Sequence, residues 1–238
     1  MPKVKVGCCG LSCGMKDYFK RFKLVEVQQT FYELPKLDTA LKWRELAPYD
    51  FEFTLKASQL ITHSATSPTH RRAGLNIPPT KEGHYGFLKP TDEVLQAWAE
   101  TERFAQALEA KVFVFQCPPS FRETSEHVGN LRKFFKFAHD SGFLPVWEPR
   151  GEWSERTIKT LCSELGLIHC VDPFERDPLH GEHRYFRLHG GPRYWDHCSE
   201  EELRWLKDKL GDKETYVLFN NINMYSDALT FISLLEAR

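Results

Sequence analysis

The chain lacks long apolar runs and carries almost no net charge, and these two absences exclude several classes of protein. Its 238 residues include 32 Lys and Arg against 33 Asp and Glu, which gives a formal net charge of −1. A near-neutral chain has no overall field that recruits nucleic acid or a membrane surface, so an anionic partner needs a local basic patch. The apolar runs are strand-sized, well below the ~20 residues that cross a bilayer. The sequence therefore predicts no membrane partner.

Leader and cofactor motifs are missing as well. The N-terminal MPKVKVGCCG has no apolar stretch followed by a small-residue cleavage site, which predicts a cytoplasmic protein. No GxGxxG follows a strand and no GxxxxGK[ST] occurs, so the sequence has no nucleotide cofactor motif. Seven cysteines is an odd count, and reduced thiols fit this chain better than a disulfide framework does.

Eight short apolar runs alternate with segments of helical spacing. The predicted strands are Lys3–Cys8, Leu24–Gln28, Phe51–Lys56, Val112–Gln116, Leu144–Glu148, Leu167–Asp172, Arg184–His189 and Thr215–Asn220. Helical spacing is clearest over Asp92–Glu109, Ser125–Ser141, Glu155–Leu165 and Glu200–Leu210. Repeated strand–helix units imply a parallel sheet with right-handed crossovers. Eight such units in a chain of this length predict an α/β fold, a single (β/α)8 TIM barrel over residues 1–238.

Two connections break this rhythm. Pro173–His183 is short and rich in proline, which predicts an irregular sixth crossover instead of a helix. The connection over residues 57–90 is long and has no clear periodicity. Long loops without regular structure usually bind something or close over a site. Because this loop follows the third strand, it is expected at the C-terminal face, where the active sites of barrel enzymes lie.

Polar residues end the apolar runs, and most of them share one parity. Strand side chains alternate between the two faces, so residues of one parity point together. If the strands are parallel, these groups meet at one end of the sheet, and an apolar interior does not collect such groups without a role. The set comprises Glu26, Gln28, Lys56, Gln116, Glu148, Asp172, Arg187, His189, Asn220 and Asn221.

Seven short motifs, in order, resemble one known family. They are GCCG at Gly7–Gly10, VEVQQTFYELP at Val25–Pro35, LITH at Leu60–His63, QCPPSF at Gln116–Phe121, EPRGEW at Glu148–Trp153, YFRLHG at Tyr185–Gly190 and YVLFNN at Tyr216–Asn221. Together they resemble the YecE-like family, known as domain of unknown function 72. The resemblance implies a TIM barrel similar to those of the xylose-isomerase and endonuclease-four type. The resemblance assigns no catalytic role to any residue of this chain. The cysteines after the first strand depart from the commoner family pattern, which has few cysteines there.

Acid–base chemistry is the leading functional hypothesis, with a hydrolase-like enzyme acting on an anionic, phosphate-bearing substrate. A general acid and a general base need different proton affinities, which a partly dry barrel mouth of mixed charge can supply. Glu148 and His189 are the expected proton-transfer pair, with Glu26 and Lys56 tuning them. Lys56 also has the residue type and the setting for a Schiff base. Each of these residues has a structural alternative as a member of a buried ion pair.

Local positive charge points to the anion. The long loop carries His63, His70, Arg71, Arg72, Lys81, His84 and Lys89 against a single acid, Glu82. Arginine forks suit phosphate oxygens, and aromatic side chains suit a sugar or a base. The expected substrate-binding residues are Arg150, Arg187, Arg71, Gln116, Asn220, His63, Tyr32 and Trp153. Tyr194 and Trp195 add to the aromatic set. The alternative is a solvated loop whose charges give solubility alone.

Three further interpretations stay open at the level of sequence. The first is a divalent metal held by His63, Glu148, Asp172 and His189, although no HExxH or His-x-His pair marks it. The thiols of Cys8, Cys9 and Cys13 form a weaker candidate for a metal or iron–sulfur site, because C-C-x-x-x-C matches no standard spacing. A third interpretation keeps the barrel without catalysis, as a protein that binds nucleic acid or an anionic metabolite. The sequence leaves the cofactor and the oligomeric state unknown.

Overall fold

Eight parallel strands form the wall of a barrel in the computed structural model, which describes residues 3–138, 142–190 and 197–237. The strands are β1 Val4–Cys9, β2 Leu24–Val27, β3 Glu52–Lys56, β4 Val112–Cys117, β5 Leu144–Pro149, β6 Ile168–His169, β7 Arg184–Leu188 and β8 Thr215–Phe219. Except for β6, each strand begins and ends within one or two residues of the bounds predicted for it. The predicted (β/α)8 architecture is confirmed.

The barrel closes between β6 and β7. The hydrogen-bonded order β6-β5-β4-β3-β2-β1-β8-β7 leaves these two strands at its ends. An isolated bridge joins Val171 to Phe186, and the amide of Arg187 donates to the carbonyl of Val171 at 3.0 Å. The regular part of β6 is shorter than the predicted Leu167–Asp172, because the irregular sixth connection packs against it. The amide of His169 donates to the carbonyl of His180, 3.1 Å away, in that connection.

Helices connect most of the strands. They are α1 Met15–Arg21, α2 Gln29–Tyr32, α3 Leu37–Leu46, α4 Gln59–Thr62, α5 Pro68–Arg72, α6 Asp92–Leu108, α7 Ser125–Ala138, α8 Glu155–Leu165, α9 Glu200–Lys209 and α10 Met224–Glu236. Gly166 ends α8 with a φ of 65°, and Ser199 with Glu202 forms the capping box that opens α9. The last residues of the predicted helix Ser125–Ser141 lie outside the described residues. No helix among the described residues is long and apolar enough to span a bilayer.

The apolar core has two layers. The larger layer lies between the strands and the helices and holds Trp98, Phe115 and Phe134. The smaller layer fills the barrel itself, with aliphatic side chains such as Val114 and Val146. This inner layer supports the polar groups that follow it along each strand toward the carboxyl end.

The connection over residues 57–90 contains regular structure, contrary to expectation. It holds α4, α5 and a 3₁₀ helix over Pro79–His84. Its return segment, Gly86–Leu88, has positive φ at all three residues and is tied to α4 by three backbone hydrogen bonds. The elements are too short for periodicity to reveal, because none but the 3₁₀ helix exceeds five residues. The sixth connection is irregular, as predicted.

Candidate functional site at the barrel mouth

The inward-facing side chains at the carboxyl ends of the strands form one polar cluster. Their register places Gln116 of β4 beside Glu148 of β5, and Glu26 of β2 beside Thr54 of β3. The structure thus brings most of the predicted set together. Asn221 is the exception, because β8 ends at Phe219 and the chain has turned away from the barrel interior by Asn221. Its Nδ2 donates to the carboxylate of Asp227 in α10, at 2.6 Å.

Arg187 lies at the centre of this cluster and is 1 % exposed. Its Nη1 lies 2.5 Å from Glu148 Oε2, and its Nε and Nη2 donate to the two oxygens of Glu26 at 3.1 and 3.0 Å. Gln116 Oε1 accepts a longer bond from Nη1, at 3.2 Å. A guanidinium engaged in this way has no free edge for a ligand. The expected substrate-binding role of Arg187 is therefore replaced by that of a buried counter-ion.

Glu148 contacts the buried Arg187 with one carboxylate oxygen and residues at the barrel mouth with the other. Arg187 holds one of its oxygens, and Arg150 Nε donates to the other at 2.6 Å. His189 Nε2 lies 3.4 Å from that second oxygen. Burial alone would raise the pKa of Glu148, but Arg187, His189 and Arg150 hold it well below its usual range. The carboxylate is thus ionised at neutral pH, which suits an orienting role better than proton transfer.

His189 is held from three sides at the end of β7. Its amide donates to Asp172 Oδ2 at 2.8 Å. Its ring lies between Arg150, whose Nη2 is 2.5 Å from Nε2, and Asn220, whose Nδ2 is 3.1 Å from Nδ1. Asp172 also accepts from the amide of Phe174 at 3.0 Å, and burial raises its pKa. The imidazole is therefore fixed in place at the rim.

A cavity of about 260 Å³ opens beside His189, at the carboxyl ends of β5 to β7. Charged and polar side chains of both signs face it, and its full lining is Pro119, Glu148, Pro149, Arg150, His169, Cys170, Val171, Asp172, Glu175, Arg176 and His189. Sequence reasoning did not single out Glu175 or Arg176, because they lie in the irregular sixth connection. Their position directly after the sixth strand could have identified them, because residues that follow barrel strands lie at the face that carries active sites.

A second group of residues lies around Lys56 at the end of β3. Lys56 Nζ lies 3.9 Å from the centroid of the Phe31 ring, and His63 packs edge-on against the same ring, 4.9 Å between centroids. Thr62 Oγ1 lies 2.8 Å from His63 Nδ1. Burial, together with the charge of Lys56, lowers the pKa of His63 to about 3. His63 is consequently neutral and buried, so it does not present a charge to an anion.

The structure does not assemble the candidate metal ligands. Within residues 3–138, 142–190 and 197–237, no three His, Cys, Asp or Glu side chains are grouped to hold an ion. Glu148 is taken by two arginines, Asp172 by two backbone amides, and His63 packs against Phe31. Glu148, Asp172 and His189 thus lie together at the cavity but are engaged by other groups, and His63 lies apart from them beside Phe31.

The three N-terminal cysteines do not form a cluster either. Cys8 and Cys9 are consecutive in β1 and face opposite layers, Cys8 toward the helices and Cys9 into the barrel. Cys8 accepts from Ser12 Oγ at 3.6 Å, and Cys13 Sγ contacts the carbonyl of Gly14 at 3.7 Å. The alternation of a strand thus separates thiols that are adjacent in sequence.

The basic loop carries less positive charge than its sequence indicates. Glu93 of α6, beyond the loop, pairs with His84 at 3.1 Å and with Lys81 at 3.5 Å. Burial lowers the pKa of both His63 and His70. Arg71 is exposed on α5 and remains a surface group. The loop is therefore a weaker anion site than expected, and Arg150 at the cavity is the better placed guanidinium.

The predicted aromatic residues divide between surface and core. Tyr32 is 43 % exposed at the end of α2. Trp153 donates through Nε1 to the carbonyl of Phe121 at 2.6 Å and packs against Trp147, so it supports the connection after β5. Tyr194 and Trp195 lie outside the described residues.

Sequence reasoning passed over one motif, G-x-S-x-G at Gly10–Gly14, between β1 and α1. In α/β-hydrolases this motif places a nucleophilic serine on a sharp, strained turn next to a histidine. Here the positive φ belongs to Gly10, at 104°, and Ser12 Oγ donates to the thiol of Cys8. Among the described residues no histidine contacts Ser12, so the motif forms a plain connection here.

Comparison with known proteins places the chain in a family. The model described as "Protein of unknown function DUF72" matches residues 12–238. The chain belongs to this family. YecE of Escherichia coli strain K12 is 39 % identical over 51 residues, which cover 21 % of this chain and 19 % of YecE, about a fifth of its length. The resemblance found in the sequence is thereby confirmed.

Solved structures support the fold. A DUF72 family protein from Enterococcus faecalis V583 matches with a TM-score of 0.74 and 19 % identity, over 100 % of this chain and 99 % of that one. A second, from Thermotoga maritima MSB8, gives 0.69 and 22 %, over 98 % and 99 %. A D-allulose 3-epimerase from Methylomonas sp. gives 0.55 and 12 %, over 100 % and 97 %. Likeness at these identities shows the barrel fold and carries no activity across.

Proposed function

We propose that this DUF72 protein is an enzyme that carries out acid–base chemistry on a small anionic, phosphate-bearing substrate at the barrel mouth. The observation that supports it is a continuous chain of contacts from Arg187 through Glu148 and Arg150 to His189. The chain begins in the sealed interior and ends at the wall of the cavity. Barrel enzymes use this face for catalysis, because loops and strand ends can vary there without disturbing the core.

Arg150 is the proposed anion-binding residue. Its side chain is 37 % exposed and lines the cavity; Glu148 fixes its Nε, and its Nη2 lies 2.5 Å from His189 Nε2. Arg176 lines the same cavity from the sixth connection. A guanidinium fork held in place by a carboxylate suits a phosphate group. The cavity volume, below the range typical of drug-sized ligands, favours a small substrate.

His189 is the proposed proton carrier, positioned by Asp172, Asn220 and Glu148. Histidine is the side chain that most often transfers protons in enzyme sites. Glu148 then acts as the ionised group that orients Arg150 and His189. Glu26 and Lys56 contribute to the electrostatic potential at this site from the barrel interior. Hydrolysis is the reaction class we propose first. In this proposal Arg150 turns from His189 Nε2 to the bound phosphate, and the freed Nε2 lone pair takes a proton from water.

Phosphate binding tests the anion site directly. We expect inorganic phosphate to raise the melting temperature of the native chain, by several degrees near saturation, because a ligand that binds only the folded state stabilises it. The Arg150→Gln variant loses this rise. Arg204→Gln is the matched control, because Arg204 is exposed on α9 and pairs with Glu200. An undiminished phosphate effect in Arg150→Gln would contradict the assignment.

Turnover tests the catalytic part. A panel of phosphate monoesters, phosphodiesters and sugar phosphates should yield at least one substrate whose hydrolysis His189→Asn lowers by two orders of magnitude or more, the usual range for a general acid or base. The variant should still show the phosphate-induced rise. Oligonucleotide binding without turnover, with equal affinity in Arg150→Gln, would instead favour the non-catalytic interpretation.

A further inference from the structure

Lys56 is a buried amine that forms no ion pair with any residue the structure describes. It is the last residue of β3, faces the barrel interior and is 7 % exposed. Among the described residues, no carboxylate oxygen lies within 4.0 Å of its Nζ. Its Nζ lies over the face of the Phe31 ring, 3.9 Å from the ring centroid. Buried lysines are rare unless paired, so this arrangement calls for a role.

Lys5 shows how the same barrel treats a structural lysine. Lys5 lies at the opposite end of the interior, where its Nζ is 2.5 Å from Glu52 and 2.9 Å from Glu214 and also donates to Tyr216 at 2.8 Å. Although burial alone would lower it, these partners raise the pKa of Lys5 above its usual range. Lys56 has no such partners in the described part of the chain, because the two carboxylates that act on it, Glu26 and Glu148, are bound by Arg187.

The surroundings of Lys56 make its amine easier to deprotonate than that of an exposed lysine. Burial lowers its pKa to about 8, with help from the positive charge of Arg187 and against the attraction of Glu26 and Glu148. The Cys9 thiol faces the same interior, and burial holds it protonated, because it raises the pKa of Cys9 well above its usual range. His63, on the other side of Phe31, is neutral. A minor fraction of Lys56 therefore carries a free lone pair near neutral pH, and this fraction grows as the pH rises toward 8.

We infer that Lys56 is a nucleophile that condenses with the carbonyl group of a small anionic aldehyde, ketone or 2-oxo acid bound at the barrel mouth. The inference rests on the proposed function, because Arg150 at the same end of the barrel is the group that binds the anion. It adds that the substrate carries a carbonyl carbon as well as a negative charge.

The condensation balances without an external oxidant or reductant. The lone pair of Nζ attacks the carbonyl carbon, and the π electrons move to oxygen, which takes a proton to give a carbinolamine. The nitrogen then forms a double bond to carbon, and the oxygen leaves as water with the two amine protons. The resulting imine draws electrons from the adjacent carbon, which makes proton transfer there easier.

Reductive trapping tests this inference. The full chain is incubated with pyruvate and cyanoborohydride, and intact mass and peptide mapping are measured. We expect one reduced pyruvate adduct per chain, located at Lys56, and at least a tenfold loss of adduct in Lys56→Arg. Arginine keeps a positive charge at this position but does not form the imine, and thermal unfolding of Lys56→Arg and Lys56→Met shows whether either variant is folded. Adducts spread over exposed lysines, or retained in Lys56→Arg, would overturn the inference.

Trapping with acetone, a neutral ketone, distinguishes the nucleophilic role of Lys56 from anion binding at Arg150. A neutral ketone needs no arginine, so Arg150→Gln should lower the trapping of pyruvate and leave that of acetone unchanged. Equal trapping of both probes in the native chain and in Arg150→Gln, without phosphate binding, would support the nucleophile and contradict the proposed anion site. Phosphate binding at Arg150 with no adduct at Lys56 would contradict the nucleophile alone.

Discussion

Arg187 Nη1 lies 2.5 Å from Glu148 Oε2 inside the barrel, and the same guanidinium binds both oxygens of Glu26. One cation thus neutralises part of the charge of two buried carboxylates. Glu26 is fully buried and Glu148 is 5 % exposed at the cavity wall, so the arrangement is stable only while the guanidinium is present. This relationship links the stability of the barrel to the orientation of the groups at its mouth.

Replacing Arg187 with Met should destabilise the fold strongly. The change leaves Glu26 and Glu148 buried without their counter-ion, and breaking a buried pair from one side costs about 3–5 kcal/mol. Urea unfolding measures the loss. Arg150→Gln serves as the comparison, because its side chain is partly exposed and its removal should cost about 1 kcal/mol or less. Equal stability of Arg187→Met and the native chain would show that the interior network is not structural.

Glu148 should make stability depend on pH in the acidic range. Its pKa in the folded state is held well below that of an unfolded Glu, about 4.3. The unfolded chain therefore binds the proton first, so the contribution is complete above that value and is lost as the pH falls through the folded pKa. Melting temperature against pH should fall less steeply in Glu148→Gln than in the native chain below pH about 5.

The control for this pH dependence is Glu45→Gln, since Glu45 is exposed on α3. Other carboxylates whose pKa is lowered, such as Glu93 and Glu164, are present in all three proteins and cancel in the comparison. Parallel curves for the native chain and Glu148→Gln would mean that Glu148 does not take up a proton on acid unfolding.

Thiol labelling should distinguish two exposed cysteines from five buried ones. Cys13 and Cys198 are partly exposed, whereas the buried set is Cys8, Cys9, Cys117, Cys162 and Cys170. Burial raises the pKa of Cys117 and Cys162 to about 12, and the thiolate is the reactive form. A chromogenic disulfide reagent should label Cys13 first, Cys198 more slowly and the other five on unfolding. Rapid labelling of Cys8 or Cys9 in the native chain would contradict the structure.

Much of the barrel and part of its mouth could be predicted from sequence, since the two-residue period of a strand is a local property. The period identified the shared direction of Lys56, Glu148 and Arg187. It did not show that Arg187 would be taken by two carboxylates, because that depends on which strands become neighbours across the barrel. Likewise, the partner of Lys81 is Glu93, which lies outside the loop that was counted.

The failures at the ends of strands have the same origin. The sequence pattern places Asn221 in the inward set, but β8 ends at Phe219, so the chain has already turned where Asn221 bonds to Asp227. Cys8 and Cys9 were grouped because they are adjacent, although alternation sends them to different layers. Each error came from treating nearness along the chain as nearness in space.

Substituting alanine at Gly86 should destabilise the fold more than substituting it at Gly74, a glycine with a similar backbone conformation but no close neighbours. Gly86 has a φ of 75°, and a Cβ there would lie 2.2 Å from the carbonyl oxygen of His63. Gly74 has a φ of 69° with no atom within 4 Å of such a Cβ. Both Ala variants lose about 1–2 kcal/mol from the left-handed backbone, and Gly86→Ala loses more because the two segments must separate. Urea unfolding of the two variants gives the difference.

Displacing the Gly86 segment from α4 should also disturb His63, which packs beside Lys56 at the barrel mouth. The amides of Gly86 and Leu88 donate to the carbonyls of Leu60 and Ile61, and these bonds hold α4 and His63 against Phe31. In Gly86→Ala the His63 ring should become accessible to water, so its imidazole resonances titrate at a higher pH than in the native chain, where burial lowers the pKa to about 3. NMR titration of the ring measures this shift. An unchanged titration in Gly86→Ala, with the same loss of stability as Gly74→Ala, would show that this contact does not position His63.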